Sequence, residues 1–253
     1  MRSFFSEVKR RNGLLYWFGW MNVIAAVICI TMSLSDNTIV AGINAWIKPV
    51  KFYLSIAIFS WTMAWYLEYL LQPKKTIAYS LMVIIVMSFE MFVITWQASH
   101  GRLSHFNIKT PFYSLLFIMM GIAITLLVIW TAYITYLFFQ KKDFKKPIHY
   151  IWAIRIALII FVIYSFEGGL MAQQLSHSVG GADGADGLPL VKWNREYGDL
   201  RVAHFFGMHA LQVIPLVAYY VTTSVRQVLI LGILYFVMVT VFFAQAMYKL
   251  PVI

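Results

Sequence analysis

"SFEMFVITWQASH", Ser88 to His100, decides how this chain is read. Its apolar residues belong inside a bilayer, yet it carries Glu90, Gln97 and His100. An ionised side chain near the centre of a membrane costs about 2–3 kcal/mol or more, so such groups are kept for pairing or for function. The pattern returns as "SFEGGLMAQQLSH", Ser165 to His177, with Ser, Phe, Glu, Gln, Ser and His at the same offsets.

Around these stretches the chain is 61% apolar and only 12% charged over 253 residues, the composition of a polytopic membrane protein. Seven apolar runs are long enough to span: Leu14–Leu34, Val50–Leu71, Ile77–Ala98, Phe112–Phe139, Ile148–Gln174, Leu200–Val221 and Val225–Tyr248. The expected fold is all-α, a bundle of seven transmembrane helices forming a single domain over residues 1–253. Its longest connection, the outer loop Leu175–Asp199, is too short to fold alone. The two SFE stretches close spans three and five, and each is followed by a His-Phe pair, His105-Phe106 or His204-Phe205, at the mouth of the next span. Spans 3–4 and 5–6 thus read as an internal repeat of helical hairpins.

The basic N-terminus "MRSFFSEVKRRNG" leads into an apolar run without a small-residue cleavage site, so it reads as the approach to the first span. Arg2, Lys9, Arg10, Arg11 and the clusters "QPKKT" and "QKKDFKKP" fall on one side of a seven-span protein. By the positive-inside rule that side is cytoplasmic. The N-terminus is then cytoplasmic and the C-terminus periplasmic. A formal charge of +10 points elsewhere to nucleic acid, but here the cations sit at span ends, where they anchor to lipid headgroups. Cys29 is the only cysteine, which excludes an internal disulfide and thiolate clusters; a metal must use imidazole, carboxylate or amide ligands.

Helical rise separates the polar residues by depth. Each Glu lies about 15 Å along its helix from the His ten residues later. Glu90 and Glu167 therefore belong to the interior, as candidate catalytic carboxylates, while His100, His105, His177 and His204 belong to an outer rim. His209 lies about 7.5 Å deeper than His204 and shares a face with Gln212. These five histidines are the candidate metal ligands. Gln97, Gln174, Gln212, Asp199, Arg201 and Arg102 are the expected lining of one cavity, with Asn22, Asn44 and "WIKPVKF" (Trp46 to Phe52) nearby. His149 is cytoplasmic, Arg155 reads as a snorkelling anchor or part of a proton path, and Pro215 would kink the sixth span. "GADGADG" lacks the spacing and closing glutamate of a calcium loop and reads as flexible.

Three chemistries fit. Imidazole with carboxylate suits zinc, iron or copper, and His100 with His177 suits haem b, giving a membrane oxidoreductase acting on a quinol or lipid. Zinc at His209 with Glu90 and Glu167 gives a membrane hydrolase of a lipid amide or ester. The seven-helix ceramidase and progestin-receptor superfamily works that way, but this chain is similar to it only in helix count, with His-x4-His at His204 and His209. Glu90 and Glu167 as half-sites give a proton- or cation-coupled transporter. Trp46–Phe52, Gln97–Asn107 and "DLRVAHFFGMHALQ" (Asp199 to Gln212) together resemble a family of bacterial seven-helix membrane proteins. That resemblance implies the bacterial inner membrane and supplies no activity.

Overall fold

A computed structural model describes residues 3–184, 187–188 and 191–252. Arg2, counted above among the basic residues of the N-terminus, lies outside the described residues, as do Ala185 and Asp186 of the "GADGADG" stretch and Pro189 and Leu190 of the same loop. The described chain is helical with two short antiparallel strand pairs: α1 (Phe4–Arg11), α2 (Gly13–Ser35), β1 (Ile39–Val40), β2 (Ile43–Asn44), α3 (Ile47–Leu67), α4 (Pro73–Ser99), α5 (Pro111–Gln140), α6 (Ile148–Gln174), β3 (Ser178–Val179), β4 (Gly198–Asp199), α7 (Leu200–Val221) and α8 (Val225–Met247). Six of these helices, α2 and α4 to α8, are long and apolar enough to cross a membrane. The stretch read as the second span forms α3, a helix of 21 residues with Pro49, Lys48 and Lys51 in its first turns. The protein is all-α and multi-spanning. It divides into two compact units, Met1–Leu127 and Val128–Ile253, with the boundary inside α5.

In the first unit, α2 packs on α3, and α3 on α4. Gly19 makes the first approach possible, because a Cβ there would fall 2.3 Å from the Trp61 indole nitrogen. Small residues are what allow membrane helices to come this close. The basic N-terminus, read from sequence as a lead-in, forms a helix of its own. Ser3 caps α1 through the Ser6 amide, Phe4 stacks on Trp65, and Phe5 packs on Trp20 and Trp61. Arg10 and Arg11 hydrogen-bond Glu7 and hold its carboxyl at about 2, and Arg11 also lies 3.8 Å from the Trp65 ring centre. Asn12 joins α1 to α2: its side-chain oxygen caps α2 at the Leu15 amide, and its amide group donates to Ser80 of α4 at 2.8 Å. Between α2 and α3, β1 and β2 form a hairpin whose two turn residues, Ala41 and Gly42, both have positive φ, as a two-residue turn of right-twisted strands demands.

In the second unit, α6 packs on α7 and α8, and α7 on α8. A Cβ on Gly207 of α7 would lie 2.2 Å from Tyr164 Cβ, and one on Gly232 of α8 would lie 2.6 Å from Ile156 Cγ2, so both glycines are dictated by helix approach. The Tyr164 hydroxyl meets Thr240 of α8 at 2.8 Å, and the Tyr235 hydroxyl donates to the Phe206 carbonyl of α7 at 2.7 Å. Arg155 is buried in α6. Its guanidinium donates at 3.0 Å to the carbonyls of Phe138 and Lys141 and so caps the C-terminal end of α5. That assignment of both donors accounts for Arg155 as a helix cap, where unpaired carbonyls and the negative end of the helix dipole favour a cation.

Candidate functional site

In the first unit, Glu90 lies on the buried face of α4 with Val83, Val86 and Gln97, about 14 Å in from the helix C-terminus. It is 6% exposed, and its Oε1 is buried without a hydrogen-bond partner. Gln97, one turn-pair along the same face, is fully used. Its Nε2 donates to the Ser104 carbonyl at 3.3 Å and its Oε1 accepts from Asn107 at 2.8 Å, which folds the α4–α5 connection back onto α4. His100 caps α4, with Nδ1 donating to the Trp96 carbonyl at 2.8 Å. His105 Nδ1 meets the Ser104 hydroxyl at 3.0 Å and its ring faces Phe52, while Arg102 bonds the Tyr113 hydroxyl and covers its ring. Asn44 and Asn22, read as cavity lining, bond backbone carbonyls: Asn44 those of Ser33 and Asp36, Asn22 that of Phe18.

In the second unit, Ile160, Tyr164, Glu167 and Met171 share the inward face of α6. The Ile156–Gly232 and Tyr164–Thr240 contacts have one common offset, so α6 and α8 run parallel in fixed register and Glu167 comes level with Phe243. Glu167 lies about 10 Å inside the C-terminal end of α6. It is 6% exposed, and both carboxyl oxygens are buried with no hydrogen-bond partner. A buried polar group left unpaired costs about 1–3 kcal/mol, so this carboxyl is a liability to the fold.

The other polar residues of the second unit have bonding partners of their own. His204 Nδ1 lies 2.9 Å from the Tyr164 carbonyl, which can only accept, so Nδ1 carries a proton and donates it to that bond. His209 bonds Gln212 on its own helix at 3.1 Å and packs on Phe205. Gln174 is exposed and donates to the Ser176 carbonyl. Asp199, 1% exposed, caps α7, accepts from the Asn194 amide and pairs with Arg201 at 2.6 Å. His177 pairs with Asp183 at 2.8 Å. Burial alone would raise the Asp183 carboxyl, but bonds from the His177 ring and amide and from the Ser176 hydroxyl outweigh it and hold Asp183 well below the usual carboxylate range.

The two copies of the repeat therefore differ in their bonds. Gln97 is buried and reaches to Asn107, whereas Gln174 bonds two residues on; His100 caps its helix, whereas His177 lies beyond it and pairs with Asp183. Among the described residues, no three His, Cys, Asp or Glu side chains come together as a group able to hold a metal ion. Two contributors were missed in the sequence. Asp183 was taken as part of a flexible loop, yet it also accepts from the Ser178 amide and organises the described start of that loop. Tyr164, which ties α6 to both neighbours, gives no signal in a span already rich in aromatic residues. No protein-family model, no curated protein and no solved structure matches this chain.

Proposed function

We propose that this chain is a membrane transporter of protons in which Glu167, with Glu90 as a second site, binds and releases the proton. One observation carries the reading: both oxygens of Glu167 are buried without a hydrogen-bond partner. A carboxyl so placed adds no hydrogen bond to the fold, and an ionisable group inside a membrane-spanning segment is by default part of an ion or proton path. Seven spans with a cytoplasmic N-terminus, in a bacterial inner membrane, belong to this proposal. The basic residues of α1, of the α3–α4 turn and of the α5–α6 connection support that orientation, and the resemblance noted above supports the compartment.

The test is reconstitution of the full chain into liposomes containing a pH-sensitive dye. Proton movement above that of empty liposomes, abolished in Glu167→Gln, is the expected result. A wild-type rate equal to empty liposomes, or a Glu167→Gln rate equal to wild type, sinks the reading.

A metal- or haem-dependent membrane enzyme is the second reading. It is favoured by the way His100 and His204 hold Nδ1 on a backbone carbonyl, the arrangement that presents Nε2 of an imidazole to a ligand. An absorption spectrum and elemental analysis of the purified protein decide it. A Soret band supports haem, stoichiometric zinc supports the lipid hydrolase, and neither after gentle purification removes both.

A further inference from the structure

Helix α1 of the first unit ends in three cations, Lys9, Arg10 and Arg11, and they are held differently. Arg10 bonds Glu7 and lies 3.3 Å from Glu68, while Arg11 bonds Glu7 and the Trp65 carbonyl. Both guanidiniums thus receive a carboxylate from the protein. Lys9 does not: among the described residues no carboxylate pairs with it, and its ammonium lies 5.0 Å from the Trp17 ring centre and 5.9 Å from that of Tyr16. An aromatic face holds a cation in place without cancelling its charge.

The helical period explains the split. Phe5 and Lys9 are four residues apart and share the face of α1 turned to α2, where Phe5 packs on Trp20 and Lys9 lies on Tyr16 and Trp17. Phe4 and Arg11 share the neighbouring face and lie on Trp65 of α3. Trp17 marks the depth. It stands about 6 Å along α2 from the start of that helix and is 55% exposed, and an exposed tryptophan near the end of a spanning helix sits among lipid headgroups. Lys9 is exposed as well, so it carries an uncompensated charge beside a lipid-facing ring at headgroup level.

From this arrangement we infer that Lys9, with Trp17 and Tyr16, is a binding site for a phospholipid of net negative charge, whose phosphate supplies the counter-ion that no carboxylate of the chain provides. The ammonium takes the phosphate and the Trp17 ring packs against the lipid below it. Depth favours a lipid over a soluble anion. A soluble phosphate would gain one exposed, salt-screened ammonium, whereas a lipid is already held at that level by its chains. Arg10 and Arg11 take no part, because a phosphate there would have to displace Glu7. The site is independent of the proton reading of Glu167.

Brominated lipids test it. The full-length protein is placed in phosphatidylcholine vesicles containing a minor fraction of brominated lipid, either phosphatidylglycerol or phosphatidylcholine. Bromine quenches tryptophan on contact, and the share due to Trp17 is the difference between each protein and the same protein carrying Trp17→Phe. A basic residue at the surface favours an anionic lipid about fivefold, so the binding constant of phosphatidylglycerol relative to phosphatidylcholine at Trp17 should be about five in wild type, about one in Lys9→Gln and restored in Lys9→Arg. Arg10→Gln should keep the wild-type ratio, and unchanged quenching by brominated phosphatidylcholine shows that each variant is folded. A wild-type ratio near one overturns the site, and so does a ratio that Lys9→Gln leaves unchanged. Equal loss in Arg10→Gln and Lys9→Gln would reveal diffuse surface charge in place of a site and overturns it too. Inorganic phosphate, added at constant ionic strength, should leave quenching by phosphatidylglycerol unchanged; a fall would give the site to soluble phosphate and overturn the lipid assignment.

Discussion

Gly207→Ala perturbs the second unit at the point where the site is assembled. The new Cβ would lie 2.2 Å from Tyr164 Cβ and 2.4 Å from Cγ. Carbon atoms rest about 3.5–4.0 Å apart, so α6 and α7 must separate locally by about 1.3 Å or more. That movement takes the His204–Tyr164 bond from 2.9 Å to beyond hydrogen-bonding reach and strains the Tyr164–Thr240 and Tyr235–Phe206 bonds beside it. Overpacking costs about 1–3 kcal/mol and the lost bond about 1 kcal/mol, so the variant should lose about 2–4 kcal/mol. Tryptophan fluorescence during unfolding by SDS in mixed micelles measures it. Gly169→Ala is the internal control: it has open space, keeps the helix and should gain up to about 1 kcal/mol. A Gly207→Ala variant within about 0.5 kcal/mol of wild type refutes the claim that helix approach dictates this glycine.

Arg155→Leu should lower stability by about 3 kcal/mol, because two carbonyls at the end of α5 lose a charged donor; hydrogen exchange of the last turn of α5 should rise in parallel, and an unchanged rate there contradicts the capping role. The Asp183 carboxyl is depressed in the folded loop, so its contribution is complete above the unfolded carboxyl value near pH 4 and is lost as pH falls through the lower folded value. Proteolysis of the connection after α6 should therefore be flat from neutral pH down to about 4 and increase below it, with Asp183→Asn cleaved faster at neutral pH; equal cleavage of variant and wild type would show that Asp183 does not hold the loop.

Most helices were legible because apolar runs about 20 residues long have few alternatives in a bilayer. The α6 and α7 limits coincide with the expected runs, and the others extend or retract them by a few residues. What escaped was amphipathic or short-range. Helix α1 is only eight residues, charged on one side and aromatic on the other, and is fixed by Trp61 and Trp65, some fifty residues away. The β1–β2 hairpin depends on Ala41 adopting positive φ, a conformation its identity does not announce. At the site, depth was legible from helical rise, but bonding was not. Gln97 and Asn44 carry the same polar signal as Glu90, and only the fold shows that their amides are spent on the backbone and on Asn107.

That difference separates structural polarity from the other kind within the repeat itself. Gln97, Gln174, His100 and His177 each hold a bond that shapes a helix end or a loop, and removing Gln97 leaves the buried Asn107 amide unsatisfied. Glu167 leaves nothing behind, because neither oxygen has a protein partner to lose. Replacing an unpaired buried polar group by an apolar one of similar size is neutral or stabilising. Glu167→Leu should then unfold no more easily than wild type, with a gain of up to about 1–3 kcal/mol, in the same SDS titration that destabilises Gly207→Ala. A loss greater than about 1 kcal/mol would show that the carboxyl serves the fold. Stability held or gained, together with proton movement lost, is the signature of a residue kept at the expense of the structure for what it does.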